Sequence, residues 1–127
     1  GRLGLIIDGT GKDYDNITGK AQKLRLLGYD IHMIFVNTSL DVALRRNAAR
    51  KRTLRPDIAT KSWKSVQTNM GKFSQFFRQG FILVDNNVAG EDIMAPVIKQ
   101  IRNMANAKVK NTIGKQWIAH QLELKKR

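Results

Sequence analysis

Apolar positions in this chain alternate between short continuous runs and stretches with helical spacing. Residues 3–7, 31–36 and 81–84 are the continuous runs, each bounded by turn-forming residues. Runs of that length predict strands buried on both faces, as in parallel sheets. Over residues 13–27, Ile17, Ala21, Leu24 and Leu27 recur at helical intervals, and Gly28 supplies a carboxy-terminal stop. Thr38 or Ser39 is placed to cap a second helix, with Asp41 in its first turn and Leu40, Ala43, Leu44 and Asn47 inward. Pro56 interrupts that pattern, and a longer helix is predicted over 57–79 with Trp63, Val66, Met70, Phe73 and Phe77 on its core stripe. After Gly90 a helix follows with Pro96 near its first turn and Val97, Ile101 and Met104 inward. The last helix, over 111–125, carries Ile113, Trp117 and Leu124 on one side.

Strands alternating with helices predict an α/β fold, a three-layer parallel sheet with right-handed crossovers. The 127 residues form one domain on this reading, with residues 107–127 as a carboxy-terminal helical extension. Three strands make a thin sheet, and the chain opens on Gly1 directly before an internal-looking strand. The expectation is a chain truncated at its amino terminus, with further strands upstream.

Charge changes the picture more than bulk composition does. The net charge is +13 and the isoelectric point near 10.5, which implies attraction to polyanions such as nucleic acid, nucleotides or anionic lipid. No cysteine is present, so a disulfide framework and a thiolate metal site are excluded. No apolar run approaches the length of a membrane helix, and no signal-like leader is visible. These features predict a cytoplasmic protein without a membrane partner.

In open parallel sheets, ligands collect outside the carboxyl ends of strands. Those ends are predicted to carry Asp8-Gly9-Thr10-Gly11-Lys12, Asn37-Thr38-Ser39 and Asp85-Asn86-Asn87. Asp8 is suited to hold a magnesium-bound water or an acceptor hydroxyl, and Gly9 and Gly11 would let backbone N–H groups approach an anion. The alternative is an ordinary turn in which Asp8 and Thr10 serve the backbone. Downstream, Arg45, Arg46, Arg50, Lys51, Arg52 and Arg55 occur without an intervening acid. Arg46 and Arg50 are four apart, one helix face, and Arg52 and Arg55 follow in a segment that could close over a ligand. Guanidinium groups bind phosphate oxygens bidentately and keep their charge. A phosphate clamp, a nonspecific nucleic-acid patch and a solvated basic face all fit this stretch. Trp63, Phe73 and Phe77 read as core rather than as a base-stacking platform. His32 and His120 have no second ligand at metal spacing, and no metal site is assigned. Every Gly-Lys pair lacks the glycine and hydroxyl that a GxxxxGK[ST] phosphate loop requires.

The segments LIIDGTGKDYDNI, YDIHMIFVNTSLDVALRRNAAR, SWKSVQTNMGKFSQFF and FILVDNN, in that order, resemble the carboxy-terminal portion of small P-loop kinases. The resemblance is to the zeta-toxin-like and polynucleotide-kinase-like group, as found among phage proteins. The resemblance implies phosphoryl transfer from ATP with Mg2+ to a phosphate-accepting substrate, in a host cytoplasm if the protein is phage-encoded. It places Asp8 and Thr10 beside the acceptor, and Arg46 and Arg50 on the RxxxR element leading into an arginine-bearing lid. Asp85 and Asn86 would lie near the nucleotide base. The family's phosphate loop and the carboxylate that follows it have no counterpart here and would lie upstream of Gly1. The alternative without catalysis is a basic nucleic-acid-binding module, or an interaction protein on a degenerate kinase fold.

Overall fold

Side-chain caps set where three of the helices begin. Asp13 Oδ1 accepts from the backbone N–H of Asn16 at 3.0 Å and starts α1 (Tyr14–Leu26). Ser39 Oγ accepts from Val42 N–H at 3.3 Å and starts α2 (Leu40–Ala48), with Asp41 in the first turn. Asn111 Oδ1 accepts from Ile113 and Gly114 and starts α5 (Thr112–Lys125). α3 (Pro56–Phe77) instead opens on proline, whose fixed φ suits the first helical position. α4 spans Glu91–Asn106 with Pro96 inside it. The computed structural model describes residues 3–88 and 91–126. Gly1, Arg2, Ala89, Gly90 and the final Arg127 lie outside them.

The strands β1 (Met33–Asn37) and β2 (Phe81–Asp85) pair in parallel, Met33 opposite Phe81 and Asn37 opposite Asp85. Two helices, α2 and α3, make the connection between them. α3 ends at Arg78, which takes a positive φ of 49°, and a short 3-10 turn (Arg78–Gly80) leads straight into β2. The core lies where α1 and α3 meet the sheet face carrying Phe35. Ala21, Phe35, Phe73 and Phe77 are buried there, with Tyr14, Ile17, Val66 and Met70 packed around them. Phe73 is fully enclosed and touches Tyr14, Phe35 and Phe77 at ring-centre distances of 5.2, 6.4 and 6.3 Å. The predicted α3 stripe is therefore the centre of the core, and Trp63 is tied down by its Nε1 donating to Thr38 O at 2.9 Å.

The expected three-layer parallel sheet is not what the chain forms. The fold is helix-rich, and among the described residues its sheet has two strands. Residues 3–10 take no regular secondary structure, and Ile6 is wholly exposed. A strand satisfies its backbone by pairing with a neighbour, and this run pairs with neither β1 nor β2. Its one described tie is Tyr29 Oη donating to Leu3 O at 3.1 Å. β1 also alternates rather than being buried throughout: Phe35 is enclosed while Ile34 and Val36 are exposed. A continuous apolar run thus covers one face of the strand only.

α5 docks on the end of α1 through polar backbone contacts. Asp30 carboxylate oxygens accept from Lys110 N–H at 2.8 Å and Asn111 N–H at 2.9 Å. The Asn111 amide Nδ2 donates to Arg25 O and Tyr29 O at 2.9 and 3.0 Å. Gly28, at φ 102°, lies so close to Gly114 that a Cβ on it would come within 2.9 Å of the Gly114 backbone. The buried position on α5 is thus Gly114, while Ile113 and Leu124 of the predicted stripe are exposed.

Candidate phosphate-binding site

Parallel pairing brings Asn37-Thr38-Ser39 and Asp85-Asn86-Asn87 side by side at the carboxyl ends of the strands. Asn86 N–H donates to Asn37 O at 2.8 Å, extending the ladder by one bond. Asn87 then turns back: its Oδ1 accepts from Ser39 N–H at 2.6 Å, and its Nδ2 donates to Asp85 Oδ1 at 2.7 Å. Asp85 Oδ1 also accepts from Asn87 N–H at 2.9 Å. Gln67 of α3 donates to Asn37 Oδ1 from the core side. These bonds fix the start of α2 against the end of β2.

Of the arginines, Arg46 reaches this polar cluster. It is half-buried on the last turn of α2, and a terminal guanidinium nitrogen donates to Asn87 O at 3.5 Å. Arg50 lies two residues past the helix end, so the helical i,i+4 face expected for Arg46 and Arg50 stops short of it. Arg50, Lys51 and Arg52 are exposed in the loop between α2 and α3 and have no ion-pair partner among the described residues. Arg55 is already engaged, its guanidinium bidentate on Asp57 at 3.1 and 3.0 Å. Arg45 pairs with Asp41 at 3.4 Å.

Asp8, Gly9 and Thr10 are not at a strand end. All three are exposed on the irregular segment before α1. The first tie to the core comes one residue later, where buried Asn69 of α3 donates from Nδ2 to Gly11 O at 3.0 Å and Lys12 O at 2.8 Å. Gly11, at φ 76°, packs with Val66 and Phe35 beneath it. The glycine turn is therefore a seat for the chain on α3, and Asp8 is exposed on the irregular segment before it. Among the described residues no three acidic, histidine or cysteine side chains gather as a metal would require. Asp85, with its Oδ1 taken twice by Asn87, adds no free pair of carboxylates. The guanidinium groups of Arg50 and Arg52, without an ion-pair partner among the described residues, fit phosphate oxygens.

Two contributors were not picked out by pattern. Asn47, assigned to the inward stripe of α2, instead spends its amide on the loop that follows. Asn87 bridges α2 and β2. The signal for both is positional: a carboxamide at an element's end can serve donor and acceptor at once. His32 and His120 are exposed, and His32 precedes β1 rather than lying in it. No helix among the described residues is long and apolar enough to cross a membrane. No family model, curated protein or solved structure matches this chain.

Proposed function

We propose that the protein binds the phosphate groups of a nucleotide beside the carboxyl ends of β1 and β2 and serves ATP-dependent phosphoryl transfer. The observation that carries this reading is Arg46, held at the strand ends and continuous with a loop whose Arg50 and Arg52 have no partner among the described residues. Bound ATP would supply the phosphoryl group. The chain's own part is to orient that group and to offset its negative charge with guanidinium groups, which act without reorganising. Hydrogen bonds between charged groups contribute about 1.5–3 kcal/mol each, so two arginines support binding on the order of 1 mM. A titration of the protein with ATP and with inorganic tripolyphosphate, followed by amide chemical shifts, tests this. Saturable shifts at residues 46–52 and 85–87 are expected, with Arg46→Ala weakening binding roughly tenfold or more. Absence of saturation at low salt in both titrations overturns the reading.

A second reading, nucleic-acid binding, is favoured by the charge of one stretch. Between Arg45 and Lys72 the sequence has nine cations and one acid, Asp57. Lys61 and Lys64 line an open strip along α3 that also carries Asp57, and their ammonium groups suit phosphate backbones. This reading expects affinity for DNA or RNA to fall with salt at a log–log slope near −0.9 per neutralised phosphate. Competition by ATP at the same residues would favour the first reading over the second.

A further inference from the structure

The loop between α2 and α3 has no regular secondary structure, yet its two ends are joined. Asn47 Nδ2 donates to Leu54 O at 2.8 Å, and Leu54 N–H donates to Asn47 Oδ1 at 3.0 Å. One planar amide thus reads both backbone groups of one residue, as a neighbouring strand would. The segment it encloses, residues 48–53, carries Arg50, Lys51 and Arg52, three like charges in succession. Like charges so placed repel and favour an open chain, and no carboxylate among the described residues holds them in place.

We infer that Asn47 is the positioning residue of this loop, its amide clamp presenting Arg50, Lys51 and Arg52 as one ready-formed cationic cluster for a di- or triphosphate. The inference rests on the phosphate-binding reading above and adds to it the group that makes the loop competent. A free loop would have to be ordered when the ligand binds, and that cost subtracts from affinity. The clamp meets the cost in the folded chain. Arg46, the adjacent residue, has a guanidinium nitrogen 3.5 Å from Asn87 O. Asparagine suits the task because aspartate would set an oxygen against Leu54 O, and serine could not span both groups.

The test compares wild type with Asn47→Ala, using inorganic tripolyphosphate as the probe and trypsin as a reporter of loop closure. Asn47→Asp is the second variant should the alanine protein fail to fold. Loss of the clamp is expected to weaken tripolyphosphate binding about tenfold. Tryptic cleavage after Arg50, Lys51 and Arg52 should accelerate relative to cleavage after Lys20 and Lys23 within α1, which a general loss of stability would not produce. A variant that binds as wild type does, or whose loop is cut no faster, overturns the role of Asn47 and leaves the phosphate reading standing. Wild type that shows no saturable binding overturns the phosphate reading itself, and with it this inference.

Discussion

Replacing Gly114 with alanine tests how the last helix is held. In an exposed helix the exchange would help, by about 1 kcal/mol, because glycine loses more backbone freedom on folding than alanine does. At this position a Cβ would overlap Gly28 O and come within 3.0 Å of Val109 Cγ1. Gly28 cannot yield easily: it sits at φ 102° in the turn that ends α1, with its N–H bonded to Arg25 O at 3.0 Å. Overpacking of this sort costs about 1–3 kcal/mol where it is absorbed in place. Where it is not, α5 lifts away and the four bonds made by Asp30 and Asn111 are lost, about 1 kcal/mol each. Gly114→Ala is therefore expected to destabilise the docking of α5 by about 1–4 kcal/mol, the reverse of the propensity effect. Amide exchange at Lys110 and Asn111 reads this directly and should quicken roughly five- to thousandfold, with Phe73 little changed. Gly71→Ala is the control, since it lies exposed on α3 with open space at its Cβ and should stabilise by up to about 1 kcal/mol. A Gly114→Ala protein that melts at or above wild type, with Lys110 and Asn111 still protected, would refute the reasoning.

Phe73→Ala removes the one fully enclosed large side chain among the described residues, and a loss of about 3–5 kcal/mol is expected from thermal or urea unfolding. A loss below about 1 kcal/mol would mean that the aromatic cluster is not the core. Asn69→Ala strips both carbonyl bonds from the glycine turn, so tryptic cleavage after Lys12 should quicken while α1 stays helical by circular dichroism. Unchanged cleavage there would show that Val66 and Phe35 alone seat the turn.

The helices were legible because their ends are marked by chemistry that acts locally. Asp13, Ser39 and Asn111 each cap within three residues, and the Phe73–Phe77 stripe needs no more than a helical period. β1 and β2 were legible as apolar runs, but the expected burial of both faces fails at exposed Ile34, Val36 and Leu83. Residues 3–7 have the same apolar signature, and their lack of a strand depends on which neighbours are present, which no local pattern encodes. The site was harder to read for the same reason. Arg55 has the same composition and setting as Arg52, but Asp57 two residues on captures it. Asn47 has the spacing of a core residue, and its clamp on Leu54 depends on a loop conformation that periodicity does not describe.

The two-stranded sheet has a colloidal consequence. Among the described residues both outer edges of the β1–β2 pair are open, with Ile34, Val36 and Leu83 exposed on the strands and Leu3, Leu5, Ile6 and Ile7 exposed before α1. Open edges beside apolar surface are templates for pairing with another copy. A net charge of +13 opposes that encounter by mutual repulsion, whatever else the cations bind. Salt shortens the reach of this repulsion to about 10 Å at 0.1 M, and a bound polyanion neutralises it outright. The surplus of lysine and arginine therefore keeps copies dispersed as well as offering sites to phosphate. Any ligand that satisfies those cations also removes the barrier to self-association.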